Sequence, residues 1–121
     1  MNSSLEKTFE ERRADPRVEF KTPLTIKIVF SSENPGLLGK TLDASSVDAS
    51  ASGMKIQFNR PILVDSVLDV WVTKGDKKYF LTGNIRWCSE DIESGQHQAG
   101  LVFRERTDTI TDLKLWRKSF A

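Results

Sequence analysis

Much of the chain alternates apolar and polar residues with a period of two, which is the pattern of a strand with one buried face. The alternation occurs in six segments: 24–30, 38–43, 54–58, 67–73, 79–87 and 99–104. Residues 43–53, DASSVDASASG, are small and polar, and this composition predicts a loop. We therefore expect about six short antiparallel strands.

The period changes near the C-terminus, where apolar residues recur at helical spacing. These residues are Ile110, Leu113, Trp116 and Phe120. Either Asp108 or Thr109 could cap a helix that begins there, so we predict a helix over 108–120. The expected fold is all-β, a six-stranded antiparallel β-barrel with a C-terminal α-helix, because a closed barrel hides its sheet edges.

The composition is that of one globular domain. The chain has 121 residues, of which 38% are hydrophobic and 29% are charged, and this is enough for a single core. Its apolar runs span only a few residues, so we expect no transmembrane helix and no membrane insertion. The first 15 residues are polar and charged, which disfavours a secretory signal, and the single cysteine, Cys88, fits a reducing cytoplasm.

Charge and metal-ligating residues exclude several classes of function. The net charge is +1, whereas proteins that bind long nucleic acids are usually basic, so we expect no long nucleic-acid partner. One cysteine cannot form an internal disulfide, and together with one histidine it cannot build a usual zinc site. No nucleophile–base pair or carboxylate dyad stands out, so we expect a protein that is not an enzyme.

A cluster of arginines lies near the N-terminus. Arg13 and Arg17 form an R-x-x-x-R motif, and Arg12 adds a third guanidinium. The guanidinium fork suits phosphate oxygens and the O6/N7 edge of guanine. Pro16 disfavours a helix at the preceding residue, so residues 12–17 are predicted to form a loop or extended arm. The alternative is a solvated charged tail whose arginines pair with neighbouring glutamates.

A second motif, D-x-S-x-x-G, comprises Asp48, Ser50 and Gly53. A carboxylate can accept from the N1 and N2 donors of guanine, and a serine hydroxyl can bind the base or a phosphate. Gly53 would permit a positive φ in a tight turn beside a ligand. The two motifs together suit a guanine nucleotide with two phosphates, whereas the second motif alone could be a connector without function.

The aromatic residues and the cysteine allow more than one interpretation. Trp87 shares the predicted inner face of 79–87, so it is either a core residue or a stacking surface beside the ligand. Trp71 is predicted to lie outside the barrel, and Trp116 is predicted to pack the helix against it. Cys88 is expected to be a small buried apolar residue.

With these motifs in this order, the sequence resembles the PilZ domain, a family of bacterial receptors for cyclic di-GMP. Two further segments carry the resemblance, Gly-x-Ile-x-Trp at 83–87 and Gly-Leu-Val-Phe at 100–103. The resemblance covers residues 11–104 and also implies a six-stranded barrel followed by a helix. It divides the chain into a flexible segment 1–11 and one domain at 12–121, with the barrel at 24–104.

The resemblance implies a role for each motif residue. Arg13 and Arg17 would bind phosphates and guanine edges, while Asp48 and Ser50 would contact a guanine. Gly53 would shape the loop. An arginine immediately before the motif accompanies binding of a stacked cyclic di-GMP dimer in the family, so Arg12 implies two ligands per domain.

The implied function is that of a non-catalytic receptor or adaptor. Nucleotide binding would change its conformation, and the signal would reach an unidentified protein partner that controls motility, exopolysaccharide synthesis or biofilm formation. No cofactor is expected other than the ligand itself. Two alternatives remain at this stage, namely a ligand-independent interaction module with a PilZ-like barrel, and an oligonucleotide-binding barrel.

Overall fold

The computed structural model describes residues 16–31, 36 and 38–120. Seven strands and one helix lie in that part of the chain: β1 (Val18–Glu19), β2 (Pro23–Phe30), β3 (Thr41–Ala49), β4 (Gly53–Phe58), β5 (Val67–Lys74), β6 (Lys77–Glu90), β7 (His97–Arg104) and α1 (Leu113–Lys118). The predicted lead-in 1–11 and the proposed domain start at residue 12 fall outside the described residues. In the part of the chain that the structure describes, no helix is long and apolar enough to span a bilayer.

Six of the strands close into a barrel. The hydrogen-bonded order is β3-β2-β5-β6-β7-β4, and β4 pairs again with β3 to close the ring. Every pairing is antiparallel. The two-residue strand β1 lies outside the ring and extends the sheet beside β3. The predicted six-stranded antiparallel barrel with a C-terminal helix is therefore confirmed.

The core forms largely as the alternation predicts, because most inward positions of the strands are apolar. On β2 these positions are Leu24, Ile26 and Ile28, all buried, whereas β3 buries the polar Ser46 as well as Ala49. Trp116 of α1 completes the core and is fully buried. Its ring lies 5.1–5.9 Å from the rings of four surrounding aromatic residues, Phe20, Tyr79, Phe103 and Phe120.

The predicted loop at 43–53 is wrong over most of its length. Residues 41–49 form β3, which pairs along one edge with β2 and, further along, with β1, and along the other edge with β4. Small polar residues have little strand propensity. Here the backbone hydrogen bonds to neighbouring strands determine the conformation, and only residues 50–52 turn the chain.

Helix α1 is shorter than predicted, since it covers 113–118 rather than 108–120. Ile110 is 91% exposed and makes no helical turn. The N-cap is Asp112, and its carboxylate accepts from the backbone N–H of Phe80 at 2.8 Å instead of capping the helix. At the other end, the Lys74 ammonium donates to the carbonyl and hydroxyl oxygens of Ser119 at 2.8 and 2.9 Å. Both contacts fix α1 to the β5–β6 hairpin.

The segment between β7 and α1 is held by Arg106. Its guanidinium donates to both carboxylate oxygens of the buried Asp69, at 3.0 and 2.8 Å, and to Asp108 at 2.9 and 2.6 Å. The hydrogen bond from Arg106 lowers the pKa of Asp108. A lowered pKa means that this contact stabilises the fold above the ordinary carboxyl pKa and is lost as the pH falls through the lowered value.

A β-bulge in β6 moves Trp87 away from the core. The pairing with β7 shifts register between Ile85 and Trp87, so Ile85 is buried but Trp87 is 41% exposed on the outer face. The predicted inner-face position of Trp87 is therefore wrong, because an extra residue reverses the alternation. Trp71 is 40% exposed and Trp116 is buried, as predicted.

Cys88 follows Trp87 near the end of β6, in an environment that the sequence did not predict. Cys88 is exposed rather than buried, and its Sγ donates to the carbonyl oxygen of Ile62 at 2.8 Å. Partial burial raises the pKa of the Cys88 thiol. Cys88 is therefore a neutral thiol at pH 7.

Candidate functional site

The two motifs meet because β1 pairs with β3. The register places Val18 opposite Ala49 and Glu19 opposite Asp48. Arg17, which immediately precedes β1, therefore reaches Asp48, and its Nη1 lies 2.7 Å from Oδ1 of the carboxylate. The second arginine of R-x-x-x-R thus contacts the first residue of D-x-S-x-x-G directly.

This arginine–aspartate pair is accessible from solvent. The side chains of Arg17 and Asp48 keep 36% and 28% of their surface exposed. A register shift between Ser46 and Asp48 places Asp48 opposite Lys55 on the outer face, while Ala49 remains buried. A guanidinium has five N–H donors and a carboxylate has two acceptor oxygens, so each group can bind its partner and a ligand together.

Ser50 forms the turn between β3 and β4 rather than an open contact surface. It is buried, and its hydroxyl accepts from the backbone N–H groups of Gly53 at 3.1 Å and Ser52 at 3.3 Å. Its carbonyl oxygen accepts from Trp116 Nε1 at 2.9 Å. The hydroxyl thus holds the turn beside Asp48, and direct contact between Ser50 and a guanine stays a prediction.

Gly53 is required by packing, not by an unusual φ. The positive-φ glycines among the described residues are Gly39, Gly75 and Gly95, so the predicted positive φ of Gly53 is wrong. A Cβ at Gly53 would lie 2.5 Å from the carbonyl oxygen of Leu101. The missing side chain therefore lets β4 approach β7 next to the motif.

Trp87 lies across β7 on the same outer face as Asp48. It is paired with Gly100, and a Cβ at Gly100 would overlap the indole ring. The ring extends towards β4, where Lys55 Nζ lies 5.9 Å from its centroid. The two glycine-containing segments at 83–87 and 100–103 thus combine to place a flat, half-exposed aromatic surface on the barrel wall.

Trp116 contacts both the turn at Ser50 and Phe20, the residue that follows β1. Its Nε1 donates to the carbonyl oxygen of Ser50, and its ring lies 5.9 Å from that of Phe20, which follows β1. Phe20 is itself tied to β3 by a backbone hydrogen bond to Val47. Sequence reasoning assigned Trp116 only to packing, because a long-range hydrogen bond leaves no signal in the local pattern.

Other predicted site residues lie beyond what the structure describes. Arg12 and Arg13 fall outside the described residues, so their roles stay predictions. Within the described part of the chain, no cluster of three or more His, Cys, Asp or Glu side chains could hold a metal ion.

Comparison with known proteins agrees with this architecture. The family model described as "PilZ domain" matches residues 11–121. The solved structure of the inhibitor of motility MotI/DgrA from Bacillus subtilis is similar in fold, with a TM-score of 0.63 and 14% sequence identity. The match covers 89% of this chain and 49% of that one, so the chain spans about half the length of MotI/DgrA. No curated protein sequence matches the chain. Because the family model spans almost the whole sequence, the chain belongs to the PilZ domain family.

Proposed function

We propose that this domain is a non-catalytic receptor for cyclic di-GMP that signals through protein contacts. The observation that carries the proposal is the 2.7 Å contact between Arg17 and Asp48, which joins the two motifs at the barrel surface. Clustered guanidinium groups suit the two phosphates, and the Asp48 carboxylate suits the donor edge of guanine. MotI/DgrA is described as an inhibitor of motility, which agrees with a regulatory role for this fold.

The proposed ligand lies on the outer face of the barrel. Arg17, together with Arg13 and Arg12, binds phosphate and the guanine acceptor edge. Asp48 accepts from N1 and N2 of the base. Trp87 offers a half-exposed ring on which a guanine stacks. Arg12 supports the binding of a second cyclic di-GMP molecule, stacked on the first.

Binding at this site is expected to act on α1. A ligand that displaces the Arg17 guanidinium from Asp48 moves β1 and the turn at Ser50, and both segments contact Trp116 through Phe20 and the Ser50 carbonyl. Packed cores change between discrete arrangements rather than deforming continuously. A shift of Trp116 therefore moves α1, whose outer surface is available to a protein partner.

Isothermal titration calorimetry with cyclic di-GMP tests the proposal, with cyclic di-AMP and GTP as controls. We expect saturable binding that is selective for cyclic di-GMP, and a stoichiometry of two nucleotides per domain if Arg12 supports a stacked dimer. Absence of binding by folded protein would refute the receptor function and favour a ligand-independent interaction module.

Trp87 is expected to report directly on the ligand. Trp87→Ala should weaken cyclic di-GMP binding by roughly 1–3 kcal/mol, because one base loses its stacking surface. In a Trp71→Phe background, Trp87 is the exposed tryptophan that remains, since Trp116 is buried. Its fluorescence should be quenched by the nucleotide.

Trp71 provides the matched control for this experiment. It is exposed to the same extent as Trp87 but lies on β5, where its ring packs on Phe80 at 5.2 Å. Trp71→Ala should therefore leave the affinity unchanged. Equal losses for the two alanine variants would show that Trp87 has no specific part in binding.

A further inference from the structure

Four residues lie side by side across the outer face of the barrel. The strand registers pair Asp48 with Lys55, Lys55 with Gly100 and Gly100 with Trp87. Neighbouring strands are about 4.8 Å apart, so three steps separate Asp48 from Trp87 by roughly 14 Å along the barrel wall. Gly100 has no side chain, and Lys55 therefore presents the side chain that lies between the carboxylate and the indole.

The position of Lys55 on β4 directs its side chain outward. Its neighbours Met54 and Ile56 are fully buried, and Lys55 is only partly buried. The Nζ lies 5.9 Å from the centroid of the Trp87 ring, within cation–π range. Among residues 16–31, 36 and 38–120, no carboxylate forms an ion pair with Lys55. The positive charge of Lys55 thus remains available on the barrel wall between the Arg17–Asp48 pair and Trp87.

The ligand's own chemistry gives this charge a function. A nucleotide held at Arg17 and Asp48 reaches Trp87 only by crossing the position of Lys55. A cyclic dinucleotide carries its two phosphates between its two bases. A base stacked on Trp87 therefore brings a phosphate towards the middle of the row of residues from Asp48 to Trp87, where Lys55 lies. A lysine ammonium is a compact charge that binds phosphate oxygens without a fixed orientation.

We propose that Lys55 is a further ligand-binding residue, which contacts a phosphate of the cyclic dinucleotide whose guanine stacks on Trp87. This inference rests on the proposed function and adds a residue from outside both sequence motifs. At Gly100, the absence of a side chain lets the Trp87 indole lie over β7 and approach Lys55.

The test is calorimetric titration of Lys55→Met and wild type with cyclic di-GMP. Methionine keeps an apolar stem beside Trp87 but removes the charge. We expect an affinity about ten-fold weaker for Lys55→Met, as for loss of one charge-assisted hydrogen bond, and an affinity close to wild type for Lys55→Arg. The wild-type affinity should also fall more steeply with added salt than that of Lys55→Met.

Lys77→Met is the matched control, because Lys77 is exposed in the β5–β6 hairpin and does not belong to the row. Its affinity should equal that of wild type. If wild type binds and Lys55→Met binds equally tightly, with the same salt dependence, the role of Lys55 is overturned while the receptor function stands. If wild type does not bind, both proposals fail. An equal loss of affinity in Lys55→Met and Lys77→Met would indicate a general effect of net charge, and it would likewise overturn the specific contact of Lys55 with the ligand.

Discussion

Trp116→Ala is expected to lower the free energy of unfolding by about 3–5 kcal/mol, the range for removal of a large buried aromatic side chain. The indole is fully buried and is surrounded by four aromatic rings, so truncation leaves a cavity at the centre of the core. It also removes the donor to the Ser50 carbonyl oxygen. Urea unfolding followed by circular dichroism measures the change.

Trp116→Phe separates packing from the hydrogen bond. Phenylalanine retains most of the apolar contact but has no N–H for the Ser50 carbonyl, which is then left buried without this partner. We expect a smaller loss of about 1–3 kcal/mol, together with weaker cyclic di-GMP binding because the turn beside Asp48 is less well held. A loss below about 1 kcal/mol for Trp116→Ala would show that α1 is not part of the cooperative core.

The barrel could be predicted from the sequence because each strand has one buried face. Segments such as 24–30 and 67–73 alternate without interruption, and this pattern specifies both the strand and the side that faces the core. The number of barrel strands and the C-terminal helix follow from the same reasoning. The order of the strands around the barrel does not, because it depends on pairings between residues far apart in the chain.

The errors occur where backbone pairing overrides the local pattern. Residues 43–49 have the composition of a loop. They form part of β3 because their backbone groups hydrogen-bond to β1, β2 and β4. A single bulge reverses the side of the sheet on which Trp87 lies, and nothing in its neighbours' sequence indicates the extra residue. At Gly53 the local sequence predicts a positive φ, whereas the contact that requires glycine is with Leu101, about fifty residues further along the chain.

The candidate site was found in the sequence only in part. The motif residues Arg17 and Asp48 carry charge in a distinctive spacing, and the structure brings them into contact. Lys55 carries no such signal, because a lysine on the solvent face of a strand is common. Its significance appears only when the registers of β3, β4, β7 and β6 align it with Asp48 and Trp87.

Arg17→Ala is expected to weaken cyclic di-GMP binding by about ten- to a hundred-fold, which corresponds to the loss of about 1.5–3 kcal/mol from one set of charge-assisted hydrogen bonds. The variant removes the guanidinium that joins the arginine arm to Asp48. Its stability should change by less than about 1 kcal/mol, because a solvent-exposed ion pair contributes little to folding. Calorimetric titration and thermal unfolding of the same sample measure both quantities.

Two further variants identify the origin of the loss. Arg17→Lys keeps the charge but loses the planar fork of N–H donors. If Arg17 binds the nucleotide through two of these donors, the affinity of Arg17→Lys should fall between those of wild type and Arg17→Ala. Arg60→Ala removes an exposed arginine beyond the end of β4 that is remote from Gly53, and it should bind as wild type does. If Arg17→Ala retained wild-type affinity, the contact between Arg17 and Asp48 would be a structural ion pair, and the nucleotide site would have to be sought elsewhere on the barrel.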